Sequence, residues 1–532
     1  MCSPPSRHNA IAYFDKLPPE DLAYIFDLLR VSDPPRYVRL GRRIKVPCTG
    51  WILVTYVCQR WRSVALGDPR LWVDIPFFLG PAWTQEFLRR SQTVPISLEC
   101  ELIYPKPAAK SIIELATLFQ HHFSRMKTVL VEGAASDLDP MVPSFRMAAP
   151  ALERFVINNN DSHQLRQLPA DLFNGIAPRL RFMFIQRFDF LWSSLTFGSL
   201  VELHLSRWGD GTVRSSFEQQ TFEQFLLALS TMPGLQSLGL DSVLPPLPVD
   251  STLDSPNLPC VTLSQLRTFD LSDNDALKCL VTLKHVTTPS ATSHNVTFRY
   301  PAASGRDIGQ ASSWFLSRVC ALPSSAPLLT FTLFETGFTI RWDSSCTDAG
   351  DSEPTHELTL FGTGSINESL AELKTICQRL PLSRLTEVRA DVDPEVSWSV
   401  EEWLSIFGKC KNVRRLEIRD YCPASLLQAL ASENPLEGHS GPLFPSLYSL
   451  TLGSIDLEGE QAMCEELAKW LPFRQTLDPL RTFNFEDCAP VPDELLHKLR
   501  DVIPEVQCIG EDWDSRCSCF ESEDDTSISG DE

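Results

Sequence analysis

His356-Glu357, the pair His121-His122, the run Gly362-Thr363-Gly364-Ser365 and Cys517-x-Cys519 are where this 532-residue chain comes nearest to reactive chemistry. A zinc-binding helix needs a second histidine four residues after the first, so that both imidazoles share one face, and none follows His356. The glycine run opens a helix after a strand, where unsatisfied amides attract an anion. It departs from the dinucleotide fingerprint at its last position and reads as a turn into a helix cap. His121 and His122 belong to a helical pattern that buries Leu118, Phe119 and Phe123, which makes them its polar face. The two cysteines lie in an acidic segment and read as exposed thiols. No Gly-x-Ser-x-Gly elbow and no phosphate-binding loop occurs. The expectation is a chain without catalytic residues, cofactor or metal, and the question becomes what its elements are built to hold.

Composition narrows the partners. A net charge of −21 argues against a general nucleic-acid or membrane-surface binder, because such proteins gain affinity by neutralising phosphates with Lys and Arg. The charge is unevenly placed. Residues 1–75 carry eleven Lys/Arg against seven Asp/Glu, and residues 511–532 carry nine acids against Arg516 alone. The acidic end has the composition of a disordered tail. No stretch has the eighteen apolar residues of a membrane span, and no secretory signal opens the chain. Cys58, Cys260, Cys279, Cys320, Cys377 and Cys410 are scattered through apolar patterns, as reduced core thiols are. The expected location is cytoplasmic or nuclear.

The N-terminal elements are the most specific. Pro18 and Pro19 stand where a helix begins, because the first turn has no use for their missing N–H groups, and Glu20 and Asp21 favour the positive end of its dipole. Leu22, Ile25, Phe26 and Leu29 follow at helical spacing, and Asp33-Pro34-Pro35 ends the helix. A second apolar period runs through Ile52, Val54, Val57, Cys58, Trp61, Val64 and Ala65 toward Leu71, Trp72 and Ile75. The order Leu17-Pro18, acidic helix start, Val57-Cys58-Gln59-Arg60-Trp61-Arg62 and Leu71-Trp72 resembles an F-box. The resemblance implies docking onto a Skp-type adaptor of a cullin–RING ubiquitin ligase, through Leu17, Pro18, Leu22, Ile25, Phe26, Val57 and Trp61. Between the helices, residues 36–45 hold five arginines and lysines. They read as a solvated loop, with contact to an acidic partner as the alternative.

From about residue 96 a pattern repeats: apolar, two variable, apolar, one variable, apolar. It occurs at Met126-Val129-Val131, Leu152-Phe155-Ile157, Leu180-Met183-Ile185, Leu200-Leu203-Leu205, Leu235-Leu238-Leu240 and Leu266-Phe269-Leu271. It returns at Leu385-Val388-Ala390, Val413-Leu416-Ile418, Leu447-Leu450-Leu452 and Leu480-Phe483-Phe485. The last two positions of each match alternate as a short strand. Helical patterns intervene around Phe222–Leu229, Trp314–Val319, Leu370–Leu380, Trp403–Phe407, Leu426–Leu430 and Leu467–Leu471. Strand then helix, stacked side by side, resembles an irregular leucine-rich-repeat solenoid, and with the N-terminus it resembles the F-box-like families expanded in fungi. The ordinary alternative is an α/β domain with right-handed crossovers. Residues 343–355 read as an exposed loop beside a hairpin-like excursion.

The expected class is therefore α/β: a flexible start (1–12), an all-α F-box-like domain (13–76), a solenoid (77–510) and an acidic tail (511–532). In a solenoid the variable strand residues and those flanking the strands make the binding face. Trp208, Arg267, Arg414, Tyr421 and Tyr448 are the chosen contacts for a protein substrate, with Trp208 and Tyr421 as aromatic anchors. The expected function is the substrate receptor of the ligase. The alternative is a repeat scaffold for which the first seventy-six residues are only a helical cap.

Overall fold

In the computed structural model the described residues are 17–40, 44–102, 108–161, 165–207, 219–248, 252–253, 258–299, 305–322, 327–334, 337–344, 354–361, 366–393, 398–431, 443–455, 457, 461–476, 478–488, 491 and 493–509. Trp208, Gly362–Ser365 and the whole acidic segment 511–532 lie outside them. The fold is mixed α/β around mostly parallel strands. It divides into two compact units, Met1–Arg267 with Thr282–Pro289 and Thr268–Val281 with Ser290–Glu532.

The first unit opens on the helix Pro19–Ser32, with a proline at its first position and Glu20 and Asp21 in its first turn. Leu22, Ala23 and Phe26 are its buried stripe. Within the segment 36–45, expected as a loop, the described residues are strand: Arg36–Leu40 and Ile44–Cys48 pair antiparallel, Arg36 opposite Cys48 and Leu40 opposite Ile44. The aromatic and β-branched pair Tyr37-Val38, both strong strand formers, is the signal that the count of charges hid. Tyr37 anchors the hairpin, its ring 4.8 Å from that of Phe78. The second apolar period splits into a 3-10 segment, Gly50–Tyr56, and a helix, Gln59–Gly67. Gly50 opens the 3-10 segment: its φ is +55°, and a Cβ there would collide with the Asp33 carbonyl that accepts from Trp51 N. Trp51, Trp72 and Phe87 pack edge to face behind these helices, 5.2 Å between the tryptophans and 4.8 Å from Trp72 to Phe87.

Parallel strands follow in chain order: Asp74–Ile75, Ile96–Glu101, Met126–Gly133, Arg154–Asn159, Phe182–Gln186, Glu202–Ser206 and Ser237–Asp241, each paired with the next. Between Met126 and Ser206 the connections are mostly short turns such as Val142–Arg146 and Leu172–Gly175, and longer helices close the rest, among them Pro81–Arg90, Ala109–His122 and Phe222–Ser230. The last starts with a capping box between Thr221 and Gln224.

In the second unit the paired order runs Thr268–Asp273, Ser293–Arg299, His356–Phe361, Gly337–Ser344, Pro327–Phe334, Glu387–Val392, Arg415–Arg419, Ser449–Gly453, Thr482–Glu486 and Glu505–Ile509. Only Gly337–Ser344 among them runs antiparallel to both neighbours. The excursion is thus a hairpin whose second strand takes Asp343 and Ser344 out of the expected loop 343–355.

The triplet pattern supplies core positions along the strands. All thirty of its residues are at most 2% exposed. Strand register stacks them into columns: Val129, Phe155, Met183, Leu203 and Leu238 in the first unit, and Val388, Leu416, Leu450 and Phe483 in the second. Truncating one of these leucines to alanine costs about 2–5 kcal/mol, because the neighbours above and below cannot close the gap. The thiols of Cys279, Cys377 and Cys410 sit in the same core, and burial pushes that of Cys377 up to about 12.

Candidate binding surfaces

The expected docking residues separate into two groups. Leu22 and Phe26 are fully buried, Phe26 against Trp61 at 5.3 Å, so they build the underside of the helix and not a docking face. Pro18 and Val57 are exposed, while Leu17, Ile25 and Trp61 are half-buried. Arg60 donates to the Leu17 carbonyl and ties the start of the helix to Gln59–Gly67. A different set of apolar side chains faces outward. Tyr24, Leu28 and Val31 on the first helix, Leu53 and Tyr56 on the 3-10 segment and Val57 just after it are 53–69% exposed. Their signal was in the sequence, since Tyr24, Leu28 and Val31 are themselves spaced four and three apart. The stripe through Leu22 and Phe26 is stronger and masked it.

In the repeats, the residue just before each strand is positioned by backbone bonds. In the second unit Arg414 N donates to the Thr386 carbonyl at 2.8 Å, Tyr448 N to that of Arg414 at 3.0 Å, and Arg481 N to that of Tyr448 at 2.8 Å. The first unit continues the same device, Glu153 to Lys127, Arg181 to Glu153, and so on to Arg267 N on the Gln236 carbonyl at 2.7 Å. Arg267, Arg414 and Tyr448 therefore occupy equivalent strand-entry positions. The structure brings Arg414 and Tyr448 together in one groove of about 780 Å³ with Arg384, Asp478 and Arg481. Arg267 belongs to the other unit, and Tyr421 lies past the exit of Arg415–Arg419, at the opposite strand end. Trp208 is not among the described residues.

Loop bonds fix the groove walls: Asn412 donates to the Ser383 carbonyl at 2.7 Å and Ser446 to that of Lys411 at 2.9 Å. The buried guanidinium of Arg474 supports the loop before Tyr448, donating to the carbonyls of Phe444 at 3.2 Å, Pro445 at 2.9 Å and Leu447. The open face of the same strands is a charge lattice. Arg389 bridges Glu387 and Glu417, each at 2.9 Å, and Arg419 reaches Glu486 at 3.1 Å. Burial, and then the neighbouring Asp420, raise the Asp391 carboxyl to about 6. The open face of the first unit is less charged, with Arg154 lying 3.7 Å over the Phe182 ring and His204 6.1 Å beyond it.

His356, the nearest approach to a zinc motif, is buried beside His294, ring centres 5.3 Å apart. Among the described residues no three His, Cys, Asp or Glu side chains gather as a metal site would require, and no helix is long and apolar enough to cross a membrane.

No known protein-family model matches this chain, and no curated protein matches it either. The functional reading therefore rests on the surfaces themselves.

Proposed function

We infer that this chain is a substrate-receptor subunit of a cullin–RING ubiquitin ligase, its N-terminal helices an F-box that holds a Skp-type adaptor and its strand–helix repeats a leucine-rich-repeat solenoid that holds a protein substrate. On this reading the chain performs no chemistry. It sets the distance between a substrate and the ubiquitin-carrying enzyme that a partner subunit recruits.

One observation carries the reading. The N-terminal helices keep Tyr24, Leu28, Val31, Leu53, Tyr56 and Val57 in solvent although about sixty residues have little apolar surface to spare for a core. A set of large exposed apolar side chains is what a partner surface would cover. The aromatic cluster Trp51–Trp72–Phe87 favours a second reading, in which these helices only cap the first repeat. The two differ in what they ask of the exposed residues.

The test is co-purification with a Skp-type adaptor. The variant should carry Tyr24→Ala, Leu28→Ala and Val57→Asp, exposed positions whose change leaves the core intact, in place of Leu22 or Phe26. Stoichiometric capture by the wild type that is lost in a variant of unchanged circular dichroism supports the receptor. A wild type that captures no adaptor sinks it in favour of the cap.

A further inference from the structure

Arg384, Arg414 and Arg481 line one groove from the entry loops of the first, second and fourth of four adjacent strands, with Tyr448 entering the third, and none of the three forms an ion pair with a described residue. Elsewhere in the same unit Arg341, Arg389, Arg415 and Arg419 are matched to carboxylates. Among the described residues one carboxylate, Asp478, lines this groove of about 780 Å³ against the three arginines, which leaves an excess of positive charge. Guanidinium groups bind carboxylates through paired, directional hydrogen bonds, so arginines drawn from neighbouring strand entries suit an acidic peptide. In a chain of net charge −21 this is a local inversion of sign.

We propose that the groove is a binding surface for an acidic peptide segment and that its occupant is residues 511–532 of this chain. Charge complementarity selects that segment: it holds nine of the chain's acids, with Glu521, Glu523, Asp524 and Asp525 in one run of five residues. Reach permits it. The strand Glu505–Ile509 pairs directly with Thr482–Glu486, whose entry residue is Arg481, and Glu505 N bonds the Arg481 carbonyl at 3.1 Å. Returning along that strand takes about 17 Å and crossing three strands to Arg414 about 15 Å. The eleven residues 510–520 span up to about 36 Å when extended. Tethering keeps the segment at a local concentration on the order of millimolar, which holds a weak electrostatic site filled. The segment then competes with any acidic partner that reaches Arg414 and Tyr448.

The experiment uses the full chain and, as probe, a fluorescent synthetic peptide of residues 511–532. Three proteins are compared: the wild type, a variant with Glu521→Gln, Glu523→Gln, Asp524→Asn and Asp525→Asn, and that variant with Arg384→Gln, Arg414→Gln and Arg481→Gln added. The acid-neutralised chain should bind the peptide at least tenfold more tightly than the wild type, whose groove is already filled. Adding the arginine changes should remove the binding while the thermal melt stays in place, and raising salt from 0.05 to 0.5 M should weaken it. Equal binding by wild type and acid-neutralised chain, binding that survives loss of the three arginines, or no binding to the acid-neutralised chain would each overturn the proposal. Adaptor capture plays no part in the readout, so its outcome is independent of the ligase reading.

Discussion

The guanidinium of Arg474 donates to the carbonyl of Pro445 at 2.9 Å from a fully buried position, and with Phe444 and Leu447 it holds the turn that delivers Tyr448. A helix near the end of the chain thereby sets the shape of a groove whose other wall comes from Arg384 and Arg414. Replacing Arg474 by leucine leaves these carbonyls without their donor. We expect a loss of about 3 kcal/mol in urea unfolding. Lysine should restore only part of it, because an ammonium cannot address carbonyls spread over four residues in the fixed fork of a guanidinium.

Gly337 faces Leu360 and Phe361 across the antiparallel pairing, and a Cβ there would strike the Leu360 carbonyl. Backbone, unlike the end of a side chain, cannot swing away. Gly337→Ala should therefore cost about 2 kcal/mol or more, measured by denaturant titration, and expose the strand Gly337–Ser344 to faster amide exchange than its neighbours.

The buried imidazoles of His294 and His356 give the second unit an acid limit. Burial first, and then the charge of Arg318, lower His294 to about 3 and His356 to about 4. The folded state refuses the proton that the unfolded chain accepts near pH 6.5, so their contribution is intact above that pH and is lost as pH falls toward 4. Each histidine should add on the order of 1 kcal/mol per pH unit to that fall. His356→Leu should flatten the curve of melting temperature against pH below 6.5, and the wild-type imidazole resonances should stay in the neutral form down to about pH 5.

Asp391 behaves in the opposite sense. Its carboxyl is raised to about 6 by burial and by Asp420, so folding favours the protonated form. That contribution is present below the ordinary aspartate range and disappears as pH rises through 6. Asp391→Asn, which removes the charge and keeps the shape, should raise the melting temperature at about pH 8 and leave it unchanged at about pH 4. A gain of equal size at both pH values would point to packing and not to the carboxylate pair.

Much of the core was readable because the triplet joins two signals, a fixed offset into the strand and alternation within it. Both are local, and each of Leu203, Leu238, Leu416 and Leu450 is buried as that pattern requires. The strand Gly337–Ser344 was not readable in the same way. Its alternation is as clear, but its direction depends on the partner at long range, and Asp343 and Ser344 look like loop residues. The candidate surfaces were legible in part. Arg414 and Tyr448 are variable positions of the pattern, yet only the fold brings them into one groove with Arg384 and Arg481. Leu22 and Phe26, expected as contacts, are buried, because a motif records which residues recur and not which way they face. Trp208 and the acidic segment lie beyond the described residues.

The strand Gly337–Ser344 has a consequence for how such a chain can change in length. On either side of it, strands run the same way, so duplicating one strand and its return adds a rung that finds a correctly directed edge. Across the hairpin the same duplication would present an edge of the wrong direction and leave a ladder unmade. The hairpin thus divides the second unit into two lengths that can grow or shrink independently, each keeping its own register.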